Sequence, residues 1–335
     1  MQIIKRLAKC TMAGIVAIAV LSLVLAPYSL TPVHMENPDG NTDYVWPANA
    51  LWCKMTEGIS FGKFDAKGYN NTEVVDKPDI LVLGSSHTEA VNVLQSKNFA
   101  ALLGQQFEGT YTTYNMGISG HFFLKVCKYL PRTIELVPEA KYIIIETSNV
   151  TFNQNDVDSL LNGTVEFTPS SKGLISTLQK LPFFRITYTQ LTSGLLDLLM
   201  PQEVQSANVT ATAPETVLPD ETVYDTLFTY IQDTLQGVDA QLIVMYHPTG
   251  VLQQDGSVSF VDNDASLAMF SRKCQEYGVS LVDMTQPFMQ IYETEHKLPH
   301  GFITGEIGSG HINAVGHAEI AEQLAKCIAE LEEVT

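Results

Sequence analysis

Short apolar runs alternate with longer amphipathic stretches along most of the chain. Residues 79–84 (DILVLG), 111–118, 142–148 (YIIIETS), 241–246 (QLIVMY) and 280–284 are the runs. Several are continuous rather than alternating, the mark of strands covered on both faces. Between them, helical spacing predicts helices from the Ser96 cap to 104, over 222–235 and 264–277, and over 314–331 at the end. A further helix is expected to break at Pro131 and to stop before Pro138. Strand–helix alternation predicts a parallel sheet with helices on both faces. Ligands of such sheets bind beyond the carboxyl ends of the strands.

Two stretches depart from the alternation. Residues 12–26 (MAGIVAIAVLSLVLA) carry no charge, and Lys5, Arg6 and Lys9 precede them. This predicts one transmembrane helix with its N-terminus in the cytoplasm and the remaining mass outside. A signal peptide has a similar pattern, but Pro27 directly after Ala26 disfavours cleavage, so an uncleaved single-pass anchor is expected. The second departure is 150–221, which has no strand pattern. Leu174, Leu178 and Leu181, and then Leu191, Leu195 and Leu198, have helical spacing before a threonine-rich polar stretch. Here we expect an insertion that covers the sheet, or that acts as a lid or a docking surface for a membrane partner. The organisation expected is 1–30 cytoplasmic tip and anchor, 31–77 tether and irregular lead-in, and 78–333 one α/β domain. Trp46 and Trp52 are the expected packing anchors of the lead-in.

Composition narrows the function. A formal charge of −18 excludes a nucleic-acid binder, because phosphate neutralisation needs Lys and Arg. The 5 cysteines form no CxxC pair and indicate neither a metal site nor a disulfide framework. No GxGxxG or GxxxxGK[ST] segment supports a nucleotide site.

Four segments at strand ends carry candidate chemistry: LGSSH at 83–87, YNMGISGH at 114–121, ETSN at 146–149 and GSGHINAVGH at 308–317. Ser86 follows a turn glycine after a buried strand. Gly117 and Gly120 let backbone N–H groups approach a ligand. Asn149 offers a side-chain amide, and His311 sits on a loop ahead of the last helix. His317 reads as structural. His87 and His247 read as cleft-lining residues.

Together these segments resemble the SGNH hydrolases, or GDSL-like esterases, whose Ser, Gly, Asn and His blocks occur in this order. The resemblance implies a flavodoxin-like three-layer α/β/α sandwich with a five-stranded parallel sheet. It implies Ser86 as nucleophile, His311 as its base, an oxyanion hole of Ser86, Gly120 and Asn149, and no metal or cofactor. The Asp that this family places three residues before the His is here Gly308. Glu306, Asp283 or a backbone carbonyl orienting a Ser–His dyad are the expected substitutes. The function implied is an anchored, extracytoplasmic serine esterase or O-acyltransferase acting on O-acetyl groups of a cell-surface glycan, with a multipass membrane acyltransferase as a possible partner. The alternative is an inactive protein of the same fold that binds glycan or assists such an acyltransferase.

Overall fold

The computed structural model describes residues 2–25, 29–30, 32, 34–55, 57–163, 183–184, 219–252, 258–261, 264–305 and 307–334. The leucine-patterned part of the insertion and Glu306 lie outside them. In chain order the elements are α1 (Gln2–Leu25), β1 (Ser29–Leu30), β2 (Met35–Glu36), β3 (Tyr44–Val45), β4 (Leu51–Lys54), β5 (Ser60–Lys63), β6 (Ile80–Leu83) and α2 (Ser86–Glu89). They continue with α3 (Phe99–Gln106), β7 (Thr113–Asn115), α4 (Phe123–Leu136), β8 (Tyr142–Thr147), α5 (Gln154–Leu161), α6 (Glu221–Leu235), β9 (Gln241–Tyr246), β10 (Thr249–Leu252) and β11 (Val258–Val261). The last are α7 (Asp264–Glu276), β12 (Ser280–Asp283), α8 (Thr285–Glu295), β13 (His300–Gly301), β14 (Ile307–Ile312) and α9 (Ala314–Val334).

The main sheet has five parallel strands in the order β12–β9–β8–β6–β7. This is the flavodoxin-like order, with its reversal between β6 and β8. Side-chain alternation splits each strand between two cores. Leu81, Leu83, Ile143, Ile145, Leu242 and Val244 pack against α4, α5, α6 and α7. Ile80, Val82, Ile144, Ile243, Met245 and Val282 pack against α3, α8 and α9. The expected three-layer sandwich is thus observed.

Three local expectations change. Helix α4 runs through Pro131 without a break. Pro131 has no N–H for the Cys127 carbonyl four residues earlier, and that carbonyl accepts the Tyr230 hydroxyl at 3.3 Å instead. Strand β7 is much shorter than 111–118. Beyond Asn115 the backbone still bonds to the β6 side, the Met116 N–H donating to the Val82 carbonyl at 2.8 Å and the Ile118 N–H to the Gly84 carbonyl at 3.0 Å. The Asn115 amide, engaged with the Thr88 carbonyl at 2.6 Å and the Gly117 N–H at 2.8 Å, turns the chain out of regular strand. The lead-in is more ordered than expected. β1, β4 and β5 form an antiparallel sheet over a cluster of Trp46, Trp52 and Phe64. Its β4–β5 hairpin reaches the carboxyl edge of the main sheet and carries residue 57 there.

α1 contains an apolar helix of 22 residues, Ile4–Leu25. At 1.5 Å per residue it is about 33 Å long, enough to cross a hydrocarbon core of about 30 Å.

Candidate active site

The position expected for the nucleophile is built by β6 and the turn after it. A Cβ on Gly84 would stand 2.2 Å from Thr88 Oγ1 and 2.6 Å from Glu146 Oε2, so only glycine fits against β8 there. Ser85 then caps α2. Its hydroxyl is buried and donates to Glu146 Oε2 at 2.8 Å, with its own N–H at 2.7 Å from the same oxygen. Ser86 is the first residue of α2 and is half-buried. The two adjacent serines therefore point in opposite senses, one into the core and one to the sheet edge.

Ser86 Oγ lies 2.9 Å from His311 Nε2. His311 Nδ1 lies 2.8 Å from Glu57 Oε1, which also accepts the His311 backbone N–H at 2.9 Å. Glu57 was not among the residues expected from sequence. It occupies the position for which Glu306, Asp283 and a backbone carbonyl were the candidates. Glu306 lies outside the described residues. Asp283 caps the start of α8 by accepting from Thr285 N and Oγ1 at 2.9 and 2.6 Å, away from His311. The reason a carboxylate can approach is a glycine other than Gly308. Gly310 has φ +81°, and a Cβ on it would stand 2.6 Å from Glu57 Oε1. Glycine here opens the space the acid fills. The sequence did hold a faint signal: LWCK and SFGK, both with strand-like alternation, flank a turn ending in Glu57-Gly58.

Electrostatics favour a charged acid. Partial burial raises the Glu57 carboxyl pKa. The hydrogen bonds and charge of His311, with Lys54 at 3.6 Å, outweigh burial and bring it to about 2. An ionised Glu57 accepts a hydrogen bond from Nδ1–H, which leaves the Nε2 lone pair facing Ser86.

A second buried carboxylate braces the site from below. Glu146, on β8, accepts from Ser85 and Thr88 through Oε2 and stands 2.9 Å from His247 Nε2 through Oε1. Burial alone raises its pKa, but the bond to His247, the charge of His247 and the Ser85 N–H lower it to about 2. His87 packs between these groups, its ring edge-on to His247 at 4.5 Å between centroids and tilted to His311 at 5.1 Å. Burial and the neighbouring His247 hold His87 well below its ordinary value, so it is neutral. Its Nδ1 accepts the Ile312 N–H at 3.4 Å, steadying the strand that bears His311. His317 is buried, stacks on Phe99 and accepts its N–H through Nδ1 at 3.3 Å, a packing role between α3 and α9.

Gly120 and Asn149 line one open cavity of about 690 Å³, with Ser85, Phe122 and Phe152 also in its wall. The N–H groups of Ser86 and Gly120 have no acceptor among the described residues. The Asn149 amide is engaged locally: Oδ1 accepts the Thr151 N–H at 2.9 Å, and Nδ2 donates to the Thr151 carbonyl at 3.4 Å.

With its five-stranded parallel sheet and helices on both faces, the chain has the flavodoxin-like three-layer α/β/α sandwich that the resemblance to SGNH hydrolases implies. No protein-family model and no curated protein sequence matches it. Among solved structures it is similar to a member of the lipolytic protein G-D-S-L family from Veillonella parvula, at 13% identity and TM-score 0.38, covering 74% of this chain and 96% of that one. It is also similar to the acetyl xylan esterase AlAXEase, at 13% identity and TM-score 0.40, covering 74% and 99%. A third is LAE5, an alpha/beta hydrolase enzyme from the metagenome of Lake Arreo, at 14% identity and TM-score 0.40, covering 76% and 97%.

Proposed function

We propose that the chain is a serine esterase or O-acyltransferase, anchored in the cell membrane by α1 with its α/β domain outside. Its substrate would be O-acetyl groups on a cell-surface glycan. The observation that carries the reading is the unbroken chain Ser86–His311–Glu57, with bonds of 2.9 and 2.8 Å.

In this reading His311 Nε2 takes the Ser86 proton as Oγ attacks the acyl carbonyl. The Ser86 and Gly120 N–H groups and the Asn149 amide, released from its long bond to Thr151, donate to the oxyanion. Losing one such donor costs about 100-fold to 1,000-fold in turnover. Glu57 stabilises the imidazolium without taking its proton. The imidazolium then protonates the departing alkoxide, and the acyl group stays on Ser86. Water or a sugar hydroxyl, deprotonated by His311, releases it. The acyl-enzyme is common to hydrolysis and transfer, so the acceptor alone separates them. A multipass membrane acyltransferase would be the donor in the transfer case. An inactive role had its support in the absent Asp at Gly308, and Glu57 removes that support.

The test is to incubate the full-length chain, in vesicles, with a chromogenic acetyl ester and a sugar acceptor. Release of chromophore with acetate or acetylated sugar, lost in Ser86→Ala together with fluorophosphonate labelling, is the expected result. A folded parent that neither turns over nor labels would overturn the reading.

A further inference from the structure

The outer face of the β1–β4–β5 sheet has the wrong polarity for water. A two-sided antiparallel sheet usually packs one face and presents polar residues on the other. Trp52 and Ser60 point inward and are buried. On the opposite face Leu51 and Phe61 are 64% and 67% exposed, and Ile59, of the same parity as Phe61, is 66% exposed. Cys53 pairs with Phe61 on that face. One further isoleucine lies beside the hairpin turn: Ile303 is 94% exposed, and its neighbour Thr304 accepts the Gly58 N–H at 2.9 Å. Single exposed apolar residues are ordinary, but a cluster around one hairpin marks a contact surface.

The path of the chain indicates what covers it. β1 begins at Ser29, four Cα steps after Leu25 ends the apolar helix α1. Four steps reach at most about 14 Å. β1 then pairs with β4, Ser29 opposite Lys54 and Leu30 opposite Cys53. The hairpin is therefore tethered at the surface of whatever membrane α1 crosses. A formal charge of −18 opposes adsorption to anionic lipid by charge, so the contact must be apolar. Lys63, opposite Leu51, is exposed at the edge of the patch, where a lipid phosphate would meet it.

We infer that the β4–β5 hairpin rests on the lipid bilayer, with Leu51, Ile59 and Phe61 seated at the boundary between headgroups and acyl chains. The inference rests on the anchored reading given under Proposed function. Since Glu57 lies in the turn of this hairpin, the site opens beside the membrane and meets esters presented at its surface.

The test uses the full-length chain in phosphatidylcholine vesicles, with and without bromine on the upper acyl carbons. Phe61→Trp and Leu51→Trp each add a reporter, and Glu330→Trp, exposed near the far end of α9, is the control. The parent, with buried Trp46 and Trp52, gives the background. Brominated lipid should reduce the added emission at positions 61 and 51 about twofold or more, as expected for side chains about 5–10 Å into the interface, and leave Glu330→Trp unchanged. Two variants at exposed positions guard against one failing to fold. No quenching at either position, or equal quenching at the control, overturns the inference. Loss of the chain from carbonate-washed vesicles would instead refute the anchor.

Discussion

Replacing Glu57 by Gln removes one charge and almost nothing else. The amide is isosteric, and its oxygen can still accept the His311 backbone N–H, now at 2.9 Å from the carboxylate. What is lost is attraction for the imidazolium that forms during attack. Opposite charges about 4 Å apart interact by about 4 kcal/mol at an effective dielectric constant of about 20. About a quarter of each side chain is exposed, and water screens the pair below that figure. At about 1.4 kcal/mol per tenfold in rate, kcat should fall about 10-fold to 100-fold, with KM nearly unchanged. The assay is steady-state hydrolysis of a chromogenic acetyl ester at neutral pH, with a melting curve to show that the fold is intact. Glu306→Gln, run beside it, should stay within a few-fold of the parent. A Glu57→Gln variant that keeps a similar share of activity would refute the reasoning and leave Ser86 and His311 as a dyad.

Ser86→Ala should abolish turnover at an unchanged melting temperature, whereas Ser85→Ala should keep part of the turnover and lose about 1–3 kcal/mol of stability, because Glu146 then lacks a buried donor; chemical denaturation and kinetics separate the two. Gly310→Ala should cut activity to the level of Glu57→Gln, since its Cβ would meet Glu57 Oε1 at 2.6 Å in a backbone with φ +81°, and Gly308→Asp should lower both melting temperature and turnover because φ there is +82°. The melting temperature should fall as pH drops from neutral. His300 and His317 are held at about 3 by burial and the charge of neighbouring histidines, so between their ordinary 6.5 and 3 the unfolded chain binds more protons. Glu146 and Glu57, depressed to about 2, add stability above their ordinary 4.5 that is lost as pH falls towards 2. His300→Leu should flatten the upper part of that slope, as neither His300 ring nitrogen has a hydrogen-bond partner among the described residues; an unchanged slope in calorimetry would contradict this.

The sheet was legible because its strands are buried on both faces. YIIIETS and QLIVMY cannot be placed elsewhere without exposing them, and β8 and β9 match their expected bounds closely. Ser86 and His311 were legible because each stands at a fixed offset from an element end. Glu57 was not, because its role comes from tertiary contact across 254 residues and from a glycine at 310 that makes room. Sequence reading looked for the acid near His311, where the resemblance expects it. Pro131 misled for a related reason: the partner that lets the helix pass through it, Tyr230, is 103 residues from the carbonyl it satisfies.

The order in which the site's parts are synthesised has its own consequence. Glu57 is made soon after α1, and His311 254 residues later. At about 5–20 residues per second, the 254 residues between them take roughly 13–50 s to assemble. Throughout that interval Ser86 has no base, and Glu57 has only Lys54 to answer its charge. Under the proposed function, a nascent chain would therefore be chemically silent towards an ester until β14 and α9 dock and bring His311 to Ser86.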